Sequence, residues 1–177
     1  MNHVCPKLNI MSDNRIPHLL ETNFFGSNLM EVNESIMQAQ AQIQKGALLN
    51  EAHLKTTTET IKEITPFGIR AEVNLTGEVV GPSYHARSVN TLLGLLKTDG
   101  TGDWEGKAYD ITKEGEIIIS TAHGTLKMTG PYTNRSEGEI IFMTQSPKLS
   151  WLNNKKCRLE GTVDSLAGEV HVKIFAL

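Results

Sequence analysis

The sequence SYHARS places three side chains that could do chemistry within four positions. If this stretch is extended, His85 and Arg87 share one face and Tyr84 points to the other, because side chains alternate along a strand. An inward guanidinium would need a carboxylate or an anionic substrate group, since an unpaired buried charge is strongly destabilising. Glu139 and Asp110 are the candidate partners. The alternative is that His85 and Arg87 lie on a solvent-exposed outer face.

Aromatic residues form the second set of candidates. Trp104 and Tyr109, together with Tyr132 and Trp151, could supply a rigid wall against which a substrate chain folds. A tyrosine hydroxyl in that wall would donate a hydrogen bond to a substrate carbonyl. The same aromatic side chains could instead close the ends of the fold.

A polar row and an apolar pair complete the candidate site. His123 alternates with Thr121 and Thr125, which predicts a polar stripe either inside the fold or on its solvent face. Phe142 and Met143 are candidates for contacts with an apolar substrate. The candidate catalytic residues are therefore Tyr84, Tyr109 and Glu139, and the candidate substrate contacts are His85, Arg87, Trp104, His123, Phe142 and Met143.

Other kinds of site have little support. The glycines of TDGTGDWEG are not followed by a helix or by the residue pair of a phosphate-binding loop, so they predict a turn. The six histidines show no HExxH motif and no short-spaced pair with a carboxylate. No serine lies in a G-x-S-x-G elbow, and Cys157 on a predicted strand is best explained as structural. The sequence therefore predicts neither a metal site nor a cofactor.

Extended segments must position these side chains, because the apolar residues recur with a period of two. In IRAEVNLTGEVV, residues 69–80, apolar and polar side chains fall on opposite faces, which is typical of a strand buried on one side. The stretch IMQAQAQIQKG, residues 36–46, contains good helix formers, yet its apolar residues alternate with glutamine. We therefore predict a strand at 36–45.

Turn signals separate the predicted strands at intervals that suit antiparallel hairpins, among them Gly81-Pro82, TDGTGD and SLAG. Ser146 before Pro147 predicts one short helical turn near residues 147–153. Eight or nine strands with a single helical turn leave nothing to cover the edges of an open sheet, and closure removes those edges. The sequence thus predicts an all-β fold, a closed antiparallel β-barrel of about eight to nine strands.

The length and net charge of the chain limit its domain organisation and its partners. We place the barrel domain at residues 29–177, after a flexible N-terminal extension at 1–28. This extension, which includes Phe24 and Phe25, could close over the barrel mouth as a lid. The formal net charge of -3 gives no reason to expect nucleic acid as a partner. The apolar runs are too short to span a membrane, and no signal peptide is evident. We expect a cytoplasmic protein, and a homodimer is compatible with the sequence.

The order of the predicted strands and the closing hairpin GTVDSLAGEVHVKIF resemble the allene oxide cyclase-like barrels. This calycin-type group includes dirigent-type proteins and bacterial cyclases of natural-product pathways. The segment TQSPKLSWLN is also similar to a T-x-S-x-K-L-x-x-L-N stretch of small bacterial and archaeal barrel proteins of unassigned function. The resemblance is architectural, covers roughly residues 30–177 and assigns no catalytic residue. It implies a barrel whose interior holds one apolar small molecule, which the enzymes of the group fold so that it cyclises.

The sequence thus favours a cofactor-independent cyclase or isomerase that acts on an apolar or amphipathic metabolite in the barrel lumen. Confinement of a flexible chain in a reactive conformation does most of the work in such a mechanism, and it needs no catalytic triad. Two alternatives remain open. One is a non-catalytic carrier of a lipid or pigment, and the other is a filled barrel that serves as an interaction module.

Overall fold

The computed structural model describes residues 45–177, so the predicted lid at 1–28 and all but the last residue of the predicted strand at 36–45 lie outside the described residues. The described chain forms eight antiparallel strands that close into one barrel in sequence order. The strands are β1 (Leu48–Thr65), β2 (Gly68–Val80), β3 (Ala86–Lys97), β4 (Thr101–Thr112), β5 (Ile117–Met128), β6 (Thr133–Thr144), β7 (Lys156–Asp164) and β8 (Glu169–Ala176). The predicted fold class is confirmed.

The barrel closes because the first and last strands pair. In this seam Ala52 of β1 lies opposite Val172 of β8. All remaining pairs join strands that are consecutive in the sequence. Each of the eight strands therefore has a partner on both sides, so the sheet has no unpaired edge strand. The pairing of β1 with β2 shifts register between Thr56 and Thr58 and again between Ile61 and Glu63.

The two ends of the barrel differ. The loops 81–85, 113–116 and 145–155 lie at one end with the start of β1 and the end of β8, while the other hairpin turns lie at the opposite end. A short 3₁₀ helix, Ser150–Leu152, sits in the 145–155 loop, within the predicted helical turn. Leu149 and Leu152 are buried there, so this loop plugs what we call the closed end.

Close contact between neighbouring strands depends on glycine. Gly124 of β5 lies opposite Gly138 of β6, and a Cβ on Gly124 would collide with the backbone carbonyl of Glu137. A Cβ on Gly138 would likewise collide with the carbonyl of His123. The two glycines therefore allow β5 and β6 to approach closely at this point.

Candidate functional site

The strands enclose a cavity of about 770 Å³ that opens at the end opposite the plug. Most of its wall is apolar because one face of each strand carries aliphatic or small side chains. Prominent lining residues are Leu54, Val73, Leu75, Leu92, Ile140 and Val172. A volume of this size falls in the range of small-molecule sites, about 300–1,000 Å³. We call this cavity the lumen.

A buried tyrosine and a buried aspartate meet at the inner end of the lumen. Tyr84 lies in the loop before β3, Asp110 lies near the end of β4, and the two residues are 8% and 4% exposed. The Tyr84 hydroxyl donates a 2.8 Å hydrogen bond to Oδ2 of Asp110. The other carboxylate oxygen, Oδ1, is buried and has no hydrogen-bond partner among residues 45–177. This arrangement fixes one carboxylate oxygen and leaves the other buried, without a partner in the described part of the chain.

Burial changes the acidity of both groups. It raises the pKa of Asp110 above its ordinary value of 3.8, and the nearby hydroxyls of Ser88 and Tyr84 offset part of the increase. Burial, followed by the nearby Asp110 charge, raises the pKa of Tyr84 well above its ordinary value of 10.0. Tyr84 therefore keeps its proton and stays a donor. A carboxylate with a raised pKa is a better proton acceptor than one in water.

Further polar groups surround the pair at the closed end. Ser88 lies opposite Asp110 across the β3–β4 ladder, and Ser120 of β5 is also buried and lines the lumen. The Asn90 side chain donates a 2.9 Å hydrogen bond to the Ser88 hydroxyl. Asn50 is 1% exposed, and its Oδ1 has no partner within the described chain. The lumen therefore has a polar inner end and an apolar body.

Three of the nine candidate residues line the lumen. Tyr84 is at its polar end, Phe142 is 1% exposed within the core, and Trp104 lies on the wall. The Trp104 indole N–H donates a 3.2 Å hydrogen bond to the carbonyl of Thr125, which fixes the ring. The structure thus brings together one hydrogen-bonding group and two aromatic surfaces around one cavity.

The other six candidate residues lie outside the lumen. Neighbours along a strand face opposite ways, and these positions are on the outer face of the wall. Tyr109 is 45% exposed beside the inward Asp110, and Met143 is 44% exposed beside the inward Phe142. His85, Arg87, His123 and Glu139 are also directed outward.

The outer polar residues have partners of their own. Glu139 lies 3.6 Å from the ammonium of Lys156, and the His85 ring lies 3.7 Å from Glu78. The pairing of Arg87 with Glu139 or Asp110 that an inward guanidinium would require does not form, since Arg87 is exposed. The carboxylate inside the lumen is that of Asp110, which sequence reasoning identified only as a possible partner of Arg87.

The described residues set limits on other chemistry. Across residues 45–177, no three His, Cys, Asp or Glu side chains converge on a point where they could hold a metal ion. No helix in this part of the chain has the length and apolar character needed to cross a membrane. The buried Cys157 has no disulfide partner within the same range.

The chain matches no protein-family model and no curated protein sequence. Its barrel is similar to that of a protein of unknown function from Clostridium acetobutylicum ATCC 824, with a TM-score of 0.67, 14% identity, and 76% of this chain and 99% of that chain covered. A β-barrel-like protein from Acinetobacter baumannii AYE gives a TM-score of 0.62 at 17% identity, with coverage of 75% and 94%.

An enzyme from Penicillium herquei also has this barrel. Its TM-score is 0.55 at 21% identity, and 76% of this chain and 97% of that chain are covered. At such identities the similarity concerns the fold and carries no functional assignment with it.

Proposed function

We propose that the chain is a cofactor-independent isomerase or cyclase that acts on an apolar or amphipathic small molecule held in the lumen. One observation carries this proposal. A buried carboxylate, Asp110, is held by Tyr84 at the inner end of an apolar cavity, and its other oxygen has no partner among residues 45–177. A ligand with an apolar body and one polar end would match this distribution of groups.

In the proposed reaction, Asp110 Oδ1 accepts a proton from a substrate hydroxyl or from a carbon next to a carbonyl. The electron pair left behind forms a new bond to an electrophilic carbon of the same molecule, or moves a double bond within it. Asp110 then returns the proton at the new position. No atoms are gained or lost, so the product is an isomer of the substrate and no co-reactant is needed.

Each part of the proposed site contributes to the reaction rate or to the position of the substrate. A positioned acid or base accelerates proton transfer by typically about 10² to 10⁴. Confinement of a flexible chain in a reactive conformation removes up to about 7–11 kcal/mol of barrier in favourable cases. Tyr84 acts as a positioning residue, because its hydroxyl holds Oδ2 and so fixes the orientation of the Asp110 carboxylate. Trp104 and Phe142 provide surfaces against which the substrate folds.

Two comparisons are compatible with an enzymatic role. The strand order resembles that of the allene oxide cyclase-like barrels, in which small molecules cyclise inside the lumen. The barrel of the enzyme from Penicillium herquei has the same fold. Because one fold can host many functions, these similarities support the proposal less strongly than the Tyr84–Asp110 geometry does.

A non-catalytic carrier is the second candidate function, since the same lumen could retain a lipid or pigment. A filled barrel fits less well, because the cavity of about 770 Å³ is not occupied by side chains of the described chain. An experiment can distinguish the carrier from the enzyme. Only the enzyme converts its ligand, and only its activity depends on Asp110.

We further propose that residues 11–28 cover the open mouth as a lid. The mouth is surrounded by exposed apolar side chains, namely Ile61, Ile64, Phe67, Ile69, Tyr132 and Leu166. The described chain starts at the closed end, where Gly46 bonds to the carbonyl of Ala176. Residues 29–44 could span up to about 50 Å when extended, which exceeds the roughly 40 Å length of a twelve-residue strand.

The experiment compares wild-type protein with Asp110→Asn. Each is incubated with a small-molecule extract of the source cells, and liquid chromatography with mass spectrometry follows every compound. Wild-type protein is expected to deplete one compound and to produce another of equal mass and different retention time, whereas Asp110→Asn binds the compound without converting it. Equal conversion by both proteins would exclude Asp110 as the proton acceptor, and binding without conversion by either would favour the carrier.

A further inference from the structure

Two histidines are paired on the outside of the barrel. His53 of β1 lies directly opposite His171 of β8, and the two Nδ1 atoms are 2.9 Å apart. The ring centroids are 5.0 Å apart, with the rings nearly perpendicular. Sequence spacing could not reveal this pair, because 118 positions separate its members. The pair bridges the seam between the first and last strands, where the barrel closes.

The pair is separate from the lumen. The side chains of His53 and His171 are 51% and 53% exposed, so an ion in solution can reach them without unfolding. Their strand neighbours Ala52, Val170 and Val172 point inward and line the lumen. A role for this pair therefore does not depend on the function proposed for Tyr84 and Asp110.

The separation of the two nitrogens suits a metal ion. Nitrogen ligands about 2.0–2.1 Å from a metal are about 2.9 Å apart when they bind at right angles, and about 3.3 Å apart in a tetrahedral site. Right-angle coordination by nitrogen and oxygen is characteristic of Cu²⁺ and Ni²⁺. In the metal-free pair one ring N–H donates to the other ring nitrogen, and an ion would replace this shared proton.

Carboxylates lie on the far side of both rings. The Glu51 carboxylate is 3.9 Å from Nε2 of His53, and the Glu169 carboxylate is 3.9 Å from Nε2 of His171. When one metal ion is bound to both Nδ1 atoms, the Nε2 atom of each ring carries a proton that faces a carboxylate. Metal-binding histidines usually donate their second N–H to such a group, which orients the ring and makes it a stronger ligand.

We propose that His53 and His171 together bind one Cu²⁺ or Ni²⁺ ion through their Nδ1 atoms, with water in the remaining positions. Glu51 and Glu169 act through the histidines rather than as ligands, in agreement with the lack of any three-residue metal cluster among residues 45–177. The ion joins β1 to β8 and so holds the barrel closed. Because it binds the folded state, it stabilises that state increasingly as its concentration rises.

The test uses Cu²⁺ as the probe and the full chain carrying His3→Gln and His18→Gln, so that histidines outside the described residues do not compete. Isothermal titration measures stoichiometry and affinity, electron paramagnetic resonance reports the number of bound imidazoles, and thermal unfolding measures Tm. The variants are His53→Gln, His171→Gln and the control His123→Gln. His123 is an exposed histidine whose cross-strand neighbours are Glu105 and Glu139 rather than a second imidazole.

We expect one Cu²⁺ per chain, a spectrum with two imidazole nitrogens and a rise in Tm. Either His53→Gln or His171→Gln should weaken binding at least tenfold, reduce the imidazole count to one and remove the rise in Tm, while His123→Gln should leave all three unchanged. Circular dichroism without metal verifies that each variant is folded. The proposal is overturned if His53→Gln and His171→Gln bind Cu²⁺ as tightly as the parent chain, or if the parent shows no saturable site and no rise in Tm.

Discussion

The Tyr84 hydroxyl and the Asp110 carboxylate form a 2.8 Å hydrogen bond inside the barrel, although 26 positions separate the two residues. The bond joins the loop before β3 to the end of β4, and both partners are buried. Its geometry directs one carboxylate oxygen toward Tyr84 and leaves the other without a partner in the described chain. This pair, the cavity above it and the mouth of the barrel each have measurable consequences.

Removing the Tyr84 hydroxyl should destabilise the fold. Tyr84→Phe deletes the hydrogen bond to Asp110 and leaves a buried carboxylate that has lost its tyrosine donor, which costs about 1–3 kcal/mol of unfolding free energy. Urea denaturation measures the change. The control is Tyr132→Phe, at a side chain that is 57% exposed, where the change should stay within about 0.5 kcal/mol. Equal stability of the two variants would mean that the buried bond contributes nothing.

The raised pKa of Asp110 predicts a pH dependence of stability. A carboxyl group with a higher pKa in the folded state binds more protons there than in the unfolded state, at pH values between the two pKa values. Its contribution to stability is therefore fully present below the ordinary value of 3.8 and decreases as the pH rises through the folded-state pKa.

Asp110→Asn isolates this effect, because the other carboxyl groups contribute equally to both proteins. The unfolding free energy of wild-type protein minus that of the variant should decrease as the pH rises from below 3.8, and it should then level off toward neutral pH. Urea denaturation across this range checks the sign. A difference that increases with pH would show that the pKa of Asp110 is lowered, which contradicts the description of a buried, partly satisfied carboxylate.

Narrowing the lumen should weaken ligand binding without unfolding the barrel. Gly94 of β3 lines the lumen, and the nearest atom to a Cβ added at this glycine would be a backbone oxygen 3.9 Å away, so a Cβ fits without a clash. Gly94→Leu should weaken binding of the fluorescent probe anilinonaphthalene sulfonate several-fold, as measured by fluorescence titration.

The control for this variant is Thr121→Leu, which adds leucine at an exposed position on the outer face of β5. It should bind the probe as wild-type protein does. If Gly94→Leu remains folded and binds the probe with wild-type affinity, the probe does not enter the lumen.

The proposed lid predicts that residues 1–28 influence binding at the mouth. Their removal should weaken retention of a ligand in the lumen and increase its rate of release, because the apolar mouth then opens directly to water. Stopped-flow measurement of probe release compares the full chain with the shortened one. Unchanged affinity and release rate would exclude a lid formed by these residues.

The fold was predictable because it depends on period-two patterning and turn chemistry, which are local properties of the sequence. The face of each strand was harder to assign. In β4, Gly102, Trp104, Gly106 and Ala108 share one face with Asp110, so the small and apolar residues of that strand indicate that Asp110 points inward. This signal was present in the sequence, but the neighbouring Tyr109 was the more conspicuous candidate.

Other parts of the site could not be predicted from the sequence, because they depend on contacts between distant strands. The hydrogen bond from Tyr84 to Asp110 requires the β3–β4 register, which pairs Ser88 with Asp110. The meeting of His53 with His171 requires closure between β1 and β8. Patterning in a single strand carries no information on either register.

The measurement that tests the central claim most directly is native mass spectrometry of the full chain as purified, followed by denaturing extraction and identification of any small molecule released. We predict one apolar or amphipathic compound in a 1:1 ratio with wild-type protein and with Asp110→Asn, and a lower ratio with Gly94→Leu. A wild-type protein that carries no small molecule and also fails to bind anilinonaphthalene sulfonate would contradict the claim that the lumen is a ligand site.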